Sequence, residues 1–282
     1  MSVNENKSRQ SDWYTFIKRI FTAQFTIGLV IVIFFTLTSF LGSHFIPYNP
    51  NSLNLANAYK PPSFSHPFGT DYLGRDVMAR TLEGGRISLE VGFVAGFIIV
   101  LLGGIIGVIS GYFGGKTDIV IQRGVDITLA VPIIVFALVL LELYGSNTLI
   151  IIGVISLLSW PTIARITRAE TLSMKEREFI YAEKLAGAKS WHIIFRHLIP
   201  NVSGSFIVYS GLAISSAILT QAALAYLGFG GVSVNWGFDL YEAQQYIGSG
   251  SWWMMVFPGL AITLTCLGFY LMSEGLRRTF LK

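Results

Sequence analysis

Few residues of this sequence have the types and spacing that catalytic chemistry requires, and a partial phosphate loop is the strongest match. Gly115, Lys116 and Thr117 fit the second half of the pattern G-x-x-x-x-G-K-[ST], in which backbone N–H groups cradle phosphates and the lysine reaches the terminal ones. The first glycine of that pattern would stand at position 110, which is Ser110. We therefore interpret the segment as a tight turn and expect no nucleotide site in this chain.

Metal-ligating and nucleophilic residues show no clustering along the sequence. The single cysteine, Cys266, excludes a disulfide framework and any cysteine-based zinc or iron–sulfur site, and we interpret it as an apolar packing residue. His44 and His66 are too few and too dispersed to predict a metal site. We therefore predict a chain that is not an enzyme, with no metal and no cofactor of its own.

The composition indicates a membrane protein. Of the 282 residues, 52% are hydrophobic and 13% are charged, against about 25% charged in an average soluble domain. Six stretches reach or approach the about 20 apolar residues that a helix needs to cross a bilayer. The predicted fold class is therefore an all-α integral membrane protein with six transmembrane helices. The six predicted spans are Phe25–Ile46, Ser88–Ser110, Ile119–Tyr144, Thr148–Ala164, Val202–Leu227 and Trp252–Met272.

The distribution of basic residues predicts how these spans are oriented. Sixteen of the 20 Lys and Arg residues fall in segments that face the cytoplasm if the N-terminus is inside, and seven of them lie within residues 165–201. Because cytoplasmic loops carry the excess of Lys and Arg, we predict that both termini are cytoplasmic. The formal net charge of +4 then faces anionic membrane lipid, which argues against a nucleic-acid partner.

The predicted cytoplasmic segment 165–201 is much longer than a minimal connection. Residues Glu170–Ala186 are rich in helix formers, Gly187 is typical of a helix stop, and Ser190–Ile199 has apolar residues at helical spacing. Pro200 suits the first turn of the fifth span. Two interpretations remain open, namely an amphipathic connector on the membrane surface and a docking element for a cytoplasmic partner.

This segment resembles the EAA loop of ABC importer permeases. The family pattern is Glu-Ala-Ala, three residues, Gly, nine residues and Ile-x-Leu-Pro. Ala182, Gly187 and Pro200 match in register, whereas Tyr181 and Glu183 depart from it. The ending R-H-L-I-P-N at 196–201 is similar to the peptide and nickel branch, as are H-P-F-G-T-D-Y-L-G-R-D-V at 66–77 and Y-L-G-F-G at 226–230. The resemblance extends from about residue 13 to residue 278.

The resemblance implies a C-type permease subunit of a type I ABC importer in a bacterial or archaeal cytoplasmic membrane. Its solute would be small peptides or a nickel or metallophore-type chelate. The implied partners are a second homologous permease in a heterodimer, two ATPase subunits that bind ATP and Mg, and an external or periplasmic solute-binding protein. The alternative is a stand-alone secondary carrier or channel driven by an ion gradient, although the spans hold no series of carboxylates to relay protons.

The resemblance also implies a division of the chain and a coupling site. Residues 1–24 would form a cytoplasmic tail, 25–85 the first span with a long outer loop, and 86–278 the permease domain. The EAA loop within 165–201 would dock in a groove of one ATPase. The residues expected at this contact are Tyr181, Ala182, Glu183, Leu185, Gly187, Ala188 and Pro200.

Polar residues inside the spans are candidates for the solute pathway, because ionisable groups near the bilayer centre cost about 2.5–3.5 kcal/mol. Arg123 and Asp126, at i and i+3 on the third span, are expected to pair as a helix anchor or a gate. Pro132 lies near the midplane and should kink this span. The fifth span has a small, polar face that suits helix packing or a pathway wall; its candidates are Ser216, Thr220 and Gln221.

Four carboxylates are candidates for contact with a binding protein. Glu90 and Glu142 are expected near the outer ends of the second and third spans, where a charged side chain can reach the interface. Asp239 and Glu242 lie in an outer loop without basic residues. For that loop we consider a surface under the binding protein and, alternatively, a segment that lies flat on the membrane.

Overall fold

The computed structural model describes residues 21–42, 46–231 and 234–280, and most of these residues are helical. Residues 1–20 of the predicted N-terminal tail, His44 and Lys282 lie outside the described residues. In chain order the helices are α1 (Ala23–Leu41), α2 (Val77–Phe113), α3 (Gly115–Ala130), α4 (Ile133–Tyr144), α5 (Thr148–Lys175), α6 (Glu178–Leu185), α7 (Ser190–Ile193), α8 (Ile199–Leu224), α9 (Trp236–Gln244) and α10 (Trp253–Phe280). Single π turns follow α7 (Ile194–Leu198) and α8 (Ala225–Phe229).

The helices confirm the predicted all-α membrane fold. Among the described residues, α1, α2, α5, α8 with its flanking turns, and α10 are long and apolar enough to cross a membrane. The pair α3 and α4 gives a sixth span if it is counted as one, with a bend of 86° between its halves. Six spans therefore agree with the sequence prediction, although the third one is broken.

The second span begins earlier than predicted, at Val77 instead of Ser88. Asp76 caps the helix, because its Oδ1 accepts a hydrogen bond from the backbone N–H of Ala79 at 2.7 Å. The polar first turns of α2 are buried against the loop 46–76 and α9, not in lipid, so hydropathy does not detect them. At 37 residues, α2 is about 55 Å long and extends beyond the hydrocarbon core.

Helix α2 lies at the centre of the bundle and contacts α1, α5, α8 and α10. Two apolar clusters flank it. The first includes Ile99 of α2, Ile155 of α5 and Ala217 of α8. The second joins Leu89 of α2 to residues of α1, α8 and α10, including Cys266.

Three glycines of α2, spaced four residues apart, allow its backbone to touch that of α5. A Cβ atom added to Gly103 would lie 2.7 Å from the Trp160 carbonyl oxygen, and one added to Gly107 would lie 2.6 Å from that of Ala164. Gly111 approaches Arg168 in the same way. The approach of Gly111 to Arg168 lies beyond the ends predicted for the second and fourth spans, Ser110 and Ala164.

The contact with α2 explains why the fourth span is longer than predicted. The sequence analysis ends this span at Ala164, after Pro161, but α5 continues without a break to Lys175. Proline removes one backbone hydrogen bond, and here the packing against α2 keeps the helix intact. As a result, Arg165 and Arg168 belong to a helix and not to a loop.

The predicted kink at Pro132 is a full break. Val131 is extended, with φ −95° and ψ 131°, and Pro132 stands as the N-cap of α4. The proline ring disfavours helical backbone at the preceding residue, which ends α3 at Ala130.

The segment after α5 differs from the predicted pair of helices. In place of one helix over Glu170–Ala186, α5 ends at Lys175 and α6 covers Glu178–Leu185. The predicted second helix begins at Ser190, passes through the π turn and continues directly into α8. The predicted position of Pro200 in the first turn of α8 is confirmed.

A substitution at the contact between α2 and α5 tests its importance. Gly107→Ala should lower the free energy of unfolding by about 1–3 kcal/mol, because the new Cβ must displace the backbone of α5. Gly153→Ala is the matched control, since a Cβ there meets no atom within 4 Å. Thermal unfolding of the detergent-solubilised chain measures both variants. If Gly107→Ala and Gly153→Ala are equally stable, the close approach of α2 to α5 does not contribute to the stability of the fold.

Candidate functional site

Helix α6 is anchored at one end of the bundle by a small apolar cluster. Ile180 of α6, Ile193 of α7 and Leu198 of the π turn are fully buried. They pack with Val108 and Tyr112 near the end of α2. The segment 176–198, which we call the α6 segment, is therefore fixed to the bundle and is not a free loop.

The opposite face of α6 is apolar and exposed. Leu185 is 89% exposed and Tyr181 is 54% exposed, and Ala182 beside them is also exposed. Trp191 and Phe195 of the following turns add exposed aromatic rings, stacked at 5.8 Å. Contiguous exposed apolar surface of this kind marks sites of contact with lipid or protein.

Gly187 ends α6 in the left-handed conformation that the sequence predicts, with φ +80°. The Gly187 N–H donates to the Lys184 carbonyl oxygen at 3.1 Å, and the Ala188 N–H donates to that of Glu183 at 3.0 Å. These two bonds form a Schellman motif. Since no atom lies within 4 Å of a Cβ built at Gly187, backbone conformation and not crowding explains the glycine.

The expected coupling residues do not all share one surface. Tyr181, Ala182, Leu185 and Gly187 are exposed, whereas Glu183 and Ala188 are partly buried. Glu183 contacts His197, with 3.2 Å between Oε1 and Nε2. Pro200 lies in the first turn of α8, on a different element from α6. The contact between Glu183 and His197 was not found from the sequence, because a π turn separates their positions along the chain.

The predicted pair between Arg123 and Asp126 is wrong. Asp126 instead forms an ion pair with Arg165 of α5, and Arg123 is exposed. A second pair joins Asp118 of α3 to Arg168, with 2.6 Å between carboxylate oxygen and guanidinium nitrogen. Both arginines reach α3 because α5 continues eleven residues beyond the end assigned from the sequence.

A cavity of about 510 Å³ lies at the break between α3 and α4. Pro132 and Ser216, both candidates from the sequence, line it together with Tyr209 and Thr162. Most of the remaining wall is aliphatic. Gln221 is not part of this wall; it is buried, and its Oε1 atom has no hydrogen-bond partner among the described residues. Thr220 is likewise absent from the lining.

The other end of the bundle, beside α9, contains a buried cluster of charges. Arg80 of α2 donates to Asp239 at 2.6 and 3.0 Å and to Glu242 at 2.7 Å. Arg75 donates to Glu242 at 2.9 Å and also pairs with Asp71. We call these five residues the α9 ion cluster. Four of them are less than 10% exposed, and the fifth, Glu242, has a side chain that is 14% exposed.

The α9 ion cluster corrects the expectation for Asp239 and Glu242. Their carboxylates are occupied by internal arginines and are not on an open surface. The Tyr72 hydroxyl also donates to Glu242 at 2.7 Å, and burial together with this carboxylate raises the pKa of Tyr72 to about 12. The phenol therefore remains a donor at physiological pH.

The two other carboxylates predicted to contact a binding protein, Glu90 and Glu142, are exposed. Glu142 stands in the last turn of α4, near the helix end as predicted. Glu90 is thirteen residues into α2, about 20 Å from its start. Because the first turns of α2 extend beyond the lipid, this position remains compatible with the predicted outer end of the second span.

The comparisons with known proteins agree with this geometry. Residues 103–281 match the family described as binding-protein-dependent transport system inner membrane component. Residues 25–62 match the N-terminal transmembrane domain of oligopeptide transport permease C. The chain belongs to this family of ABC importer permeases. It is therefore a multi-pass inner-membrane subunit and not a catalytic one, and the family implies ATPase and substrate-binding partners.

Curated relatives cover most of the chain. The oligopeptide transport system permease protein OppC of Bacillus subtilis is 37% identical over 89% of this chain and 83% of its own length. The dipeptide transport system permease protein DppC of the same organism is 36% identical over 89% and 79%. OppC of Haemophilus influenzae is 36% identical over 95% and 88%.

A solved structure supports the fold independently. One chain of the MetNI methionine ABC transporter, in an inward-facing conformation, matches with a TM-score of 0.60. The match covers 72% of this chain and 97% of that chain at 19% identity. The permease is therefore built on the membrane-subunit fold of an ABC importer.

Removal of Arg80 tests the α9 ion cluster. Arg80→Met leaves the buried Asp239 carboxylate without its arginine and removes one of the two arginines on Glu242, which should lower the free energy of unfolding by about 3–5 kcal/mol. Arg86→Met, on an exposed position of the same helix, should change it by less than about 0.5 kcal/mol. Thermal unfolding in detergent compares them. If Arg80→Met and Arg86→Met unfold at the same temperature, the α9 ion cluster does not stabilise the fold.

Proposed function

We propose that this permease forms half of the membrane pathway of an importer for small peptides, either dipeptides or longer oligopeptides. The similarity to OppC and DppC over most of the chain is the observation that carries the substrate class. Neither the nickel or metallophore hypothesis nor the ion-driven carrier receives support from these relatives. We retain the division into a tail at 1–24, a first span with outer loop at 25–85 and a permease domain at 86–278.

In this proposal the α6 segment is the contact with an ATPase. The exposed face formed by Tyr181, Ala182 and Leu185 supports this assignment, because it is apolar and stands on a buried anchor. Ile180 on the opposite face touches the end of α2, so a displacement of α6 would be passed to the centre of the bundle. ATP-driven closure of the ATPases would thus reorient the spans.

The cavity at Pro132 is proposed as part of the solute pathway. Its volume lies in the range of about 300–1,000 Å³ that is usual for small-molecule sites. Its polar groups, among them Tyr209 and Ser216, could bind a peptide backbone, and its aliphatic wall tolerates varied side chains. A second homologous permease would complete the pathway in a heterodimer.

The proposed orientation places both termini and the α6 segment in the cytoplasm, as the distribution of basic residues indicates. The loop 46–76 and α9 then face outward. Because the α9 ion cluster joins them, they form a firm surface on which a loaded solute-binding protein could dock. Glu142, exposed near the same end, remains a candidate for that contact.

The function is tested with the complete importer in proteoliposomes. Binding protein loaded with a di- or oligopeptide should accelerate ATP hydrolysis and drive accumulation of that peptide. The control is the same binding protein without ligand. Stimulation by a nickel chelate and not by peptides would contradict the substrate class. Uptake by the permease without ATPases, driven by an ion gradient, would contradict the coupling.

Gly187 gives a sharper test of the coupling assignment. Gly187→Val forces a β-branched residue into the left-handed region, at a cost of about 1–3 kcal/mol, and should displace the end of α6. We expect peptide uptake to fall to background while the protein level in the membrane is unchanged. Gly187→Asn is the matched control, because asparagine tolerates this conformation, and should retain most of the uptake.

The two Gly187 variants separate backbone conformation from side-chain size. Normal uptake by Gly187→Val would count against the α6 segment as the coupling element. Equal loss in both variants would show that any side chain at this position, and not strain, blocks the contact.

A further inference from the structure

Three metal-ligating side chains meet on the α6 segment. Glu183 lies on α6, His192 on α7 and His197 on the π turn. One ligand atom from each of them lies within 4.8 Å of the other two. No metal site was predicted from the sequence, because only His44 and His66 among the histidines were considered there as ligands.

The π turn is the reason that the two histidines come together. Residues five apart in an α-helix point about 140° away from each other around the axis. In the π turn the Ile199 N–H donates to the Ile194 carbonyl oxygen, an i to i+5 bond, and the wider turn brings such positions onto one side. The ring centres of His192 and His197 are 5.9 Å apart. Single π turns inside helices occur frequently at functional sites.

The surroundings of these three residues suit a cation. The Glu183 carboxylate is 3.2 Å from His197 Nε2, and the Phe179 ring stands beside the His197 ring at 6.1 Å. The adjacent ammonium group, that of Lys184, is held over the rings of Tyr112 and Tyr181 at 5.7 and 5.4 Å. His192 is exposed, which leaves the site open to solvent.

We propose that Glu183, His192 and His197 bind a divalent transition-metal ion of the Zn²⁺ type. Two imidazoles and one carboxylate form a donor set that suits Zn²⁺, Ni²⁺ and Co²⁺, whereas Mg²⁺ and Ca²⁺ prefer oxygen ligands alone. Water would fill the remaining position. The ligands stand on both sides of Gly187, so the ion links α6 to α7 and to the π turn that precedes α8. Binding itself does not depend on the proposed transport function.

The test uses the full-length chain in lipid nanodiscs, purified without a polyhistidine tag, and Co²⁺ as the probe. We expect one Co²⁺ per chain, with visible absorption bands that an equivalent of Zn²⁺ removes. His192→Ala and His197→Ala should abolish the bands, and Glu183→Gln should weaken binding at least tenfold. Glu178→Gln is the matched control, an exposed carboxylate on the same helix, and should bind as the unmodified chain does.

Two results of the Co²⁺ measurements would overturn the proposal. One is the absence of stoichiometric binding, which would leave Glu183 and His197 as a simple ion pair. The other is Co²⁺ binding that persists in both histidine variants. A measurement without substitutions guards against misfolded variants: X-ray absorption of the unmodified chain with one equivalent of Zn²⁺ should show two imidazole ligands. A ligand shell without histidine would also refute the site.

Discussion

The backbone contact between α2 and α5 is the constraint on which the other features depend. Gly103, Gly107 and Gly111 let two long helices touch along their length, where any side chain would separate them. Because α2 is held in this way, its first turns carry the α9 ion cluster and its last turns carry the apolar anchor of α6. One continuous helix thus joins the surface proposed for the binding protein to the surface proposed for the ATPase.

Much of this arrangement was predictable from local sequence. Apolar length indicated the spans, Pro132 located the break in the third one, and Gly187 located the end of α6, since each of these effects acts within a few residues. The glycines at 103, 107 and 111 carried a signal as well, because small residues four apart are typical of close helix packing.

The charge pairings were not predictable, because they join residues distant in the chain. Asp126 had a basic neighbour three positions away, yet it pairs with Arg165, thirty-nine residues further on. Asp239 lacked any basic neighbour in its own loop, and its partner Arg80 is 159 residues away. Spacing along the sequence identifies only partners that are close in the chain. The arginines that pair with Asp126 and Asp239 lie on extensions of α5 and α2 that hydropathy did not detect. Arg75 and Arg80 are also neutralised internally, which leaves the side proposed to face outward with little free positive charge.

The break at Pro132 also bears on how the protein matches the thickness of its bilayer. A straight helix over residues 115–144 would be about 45 Å long, half again the about 30 Å of the hydrocarbon core. With the 86° bend, α4 alone, at 12 residues, rises about 18 Å and is too short to cross. The remaining depth must come from α3, so the depth that the pair spans depends on the angle between its two helices. Because hydrophobic mismatch favours a span that fits the local bilayer, we expect the angle at Pro132, and with it the shape of the cavity, to depend on the thickness of the bilayer around the permease.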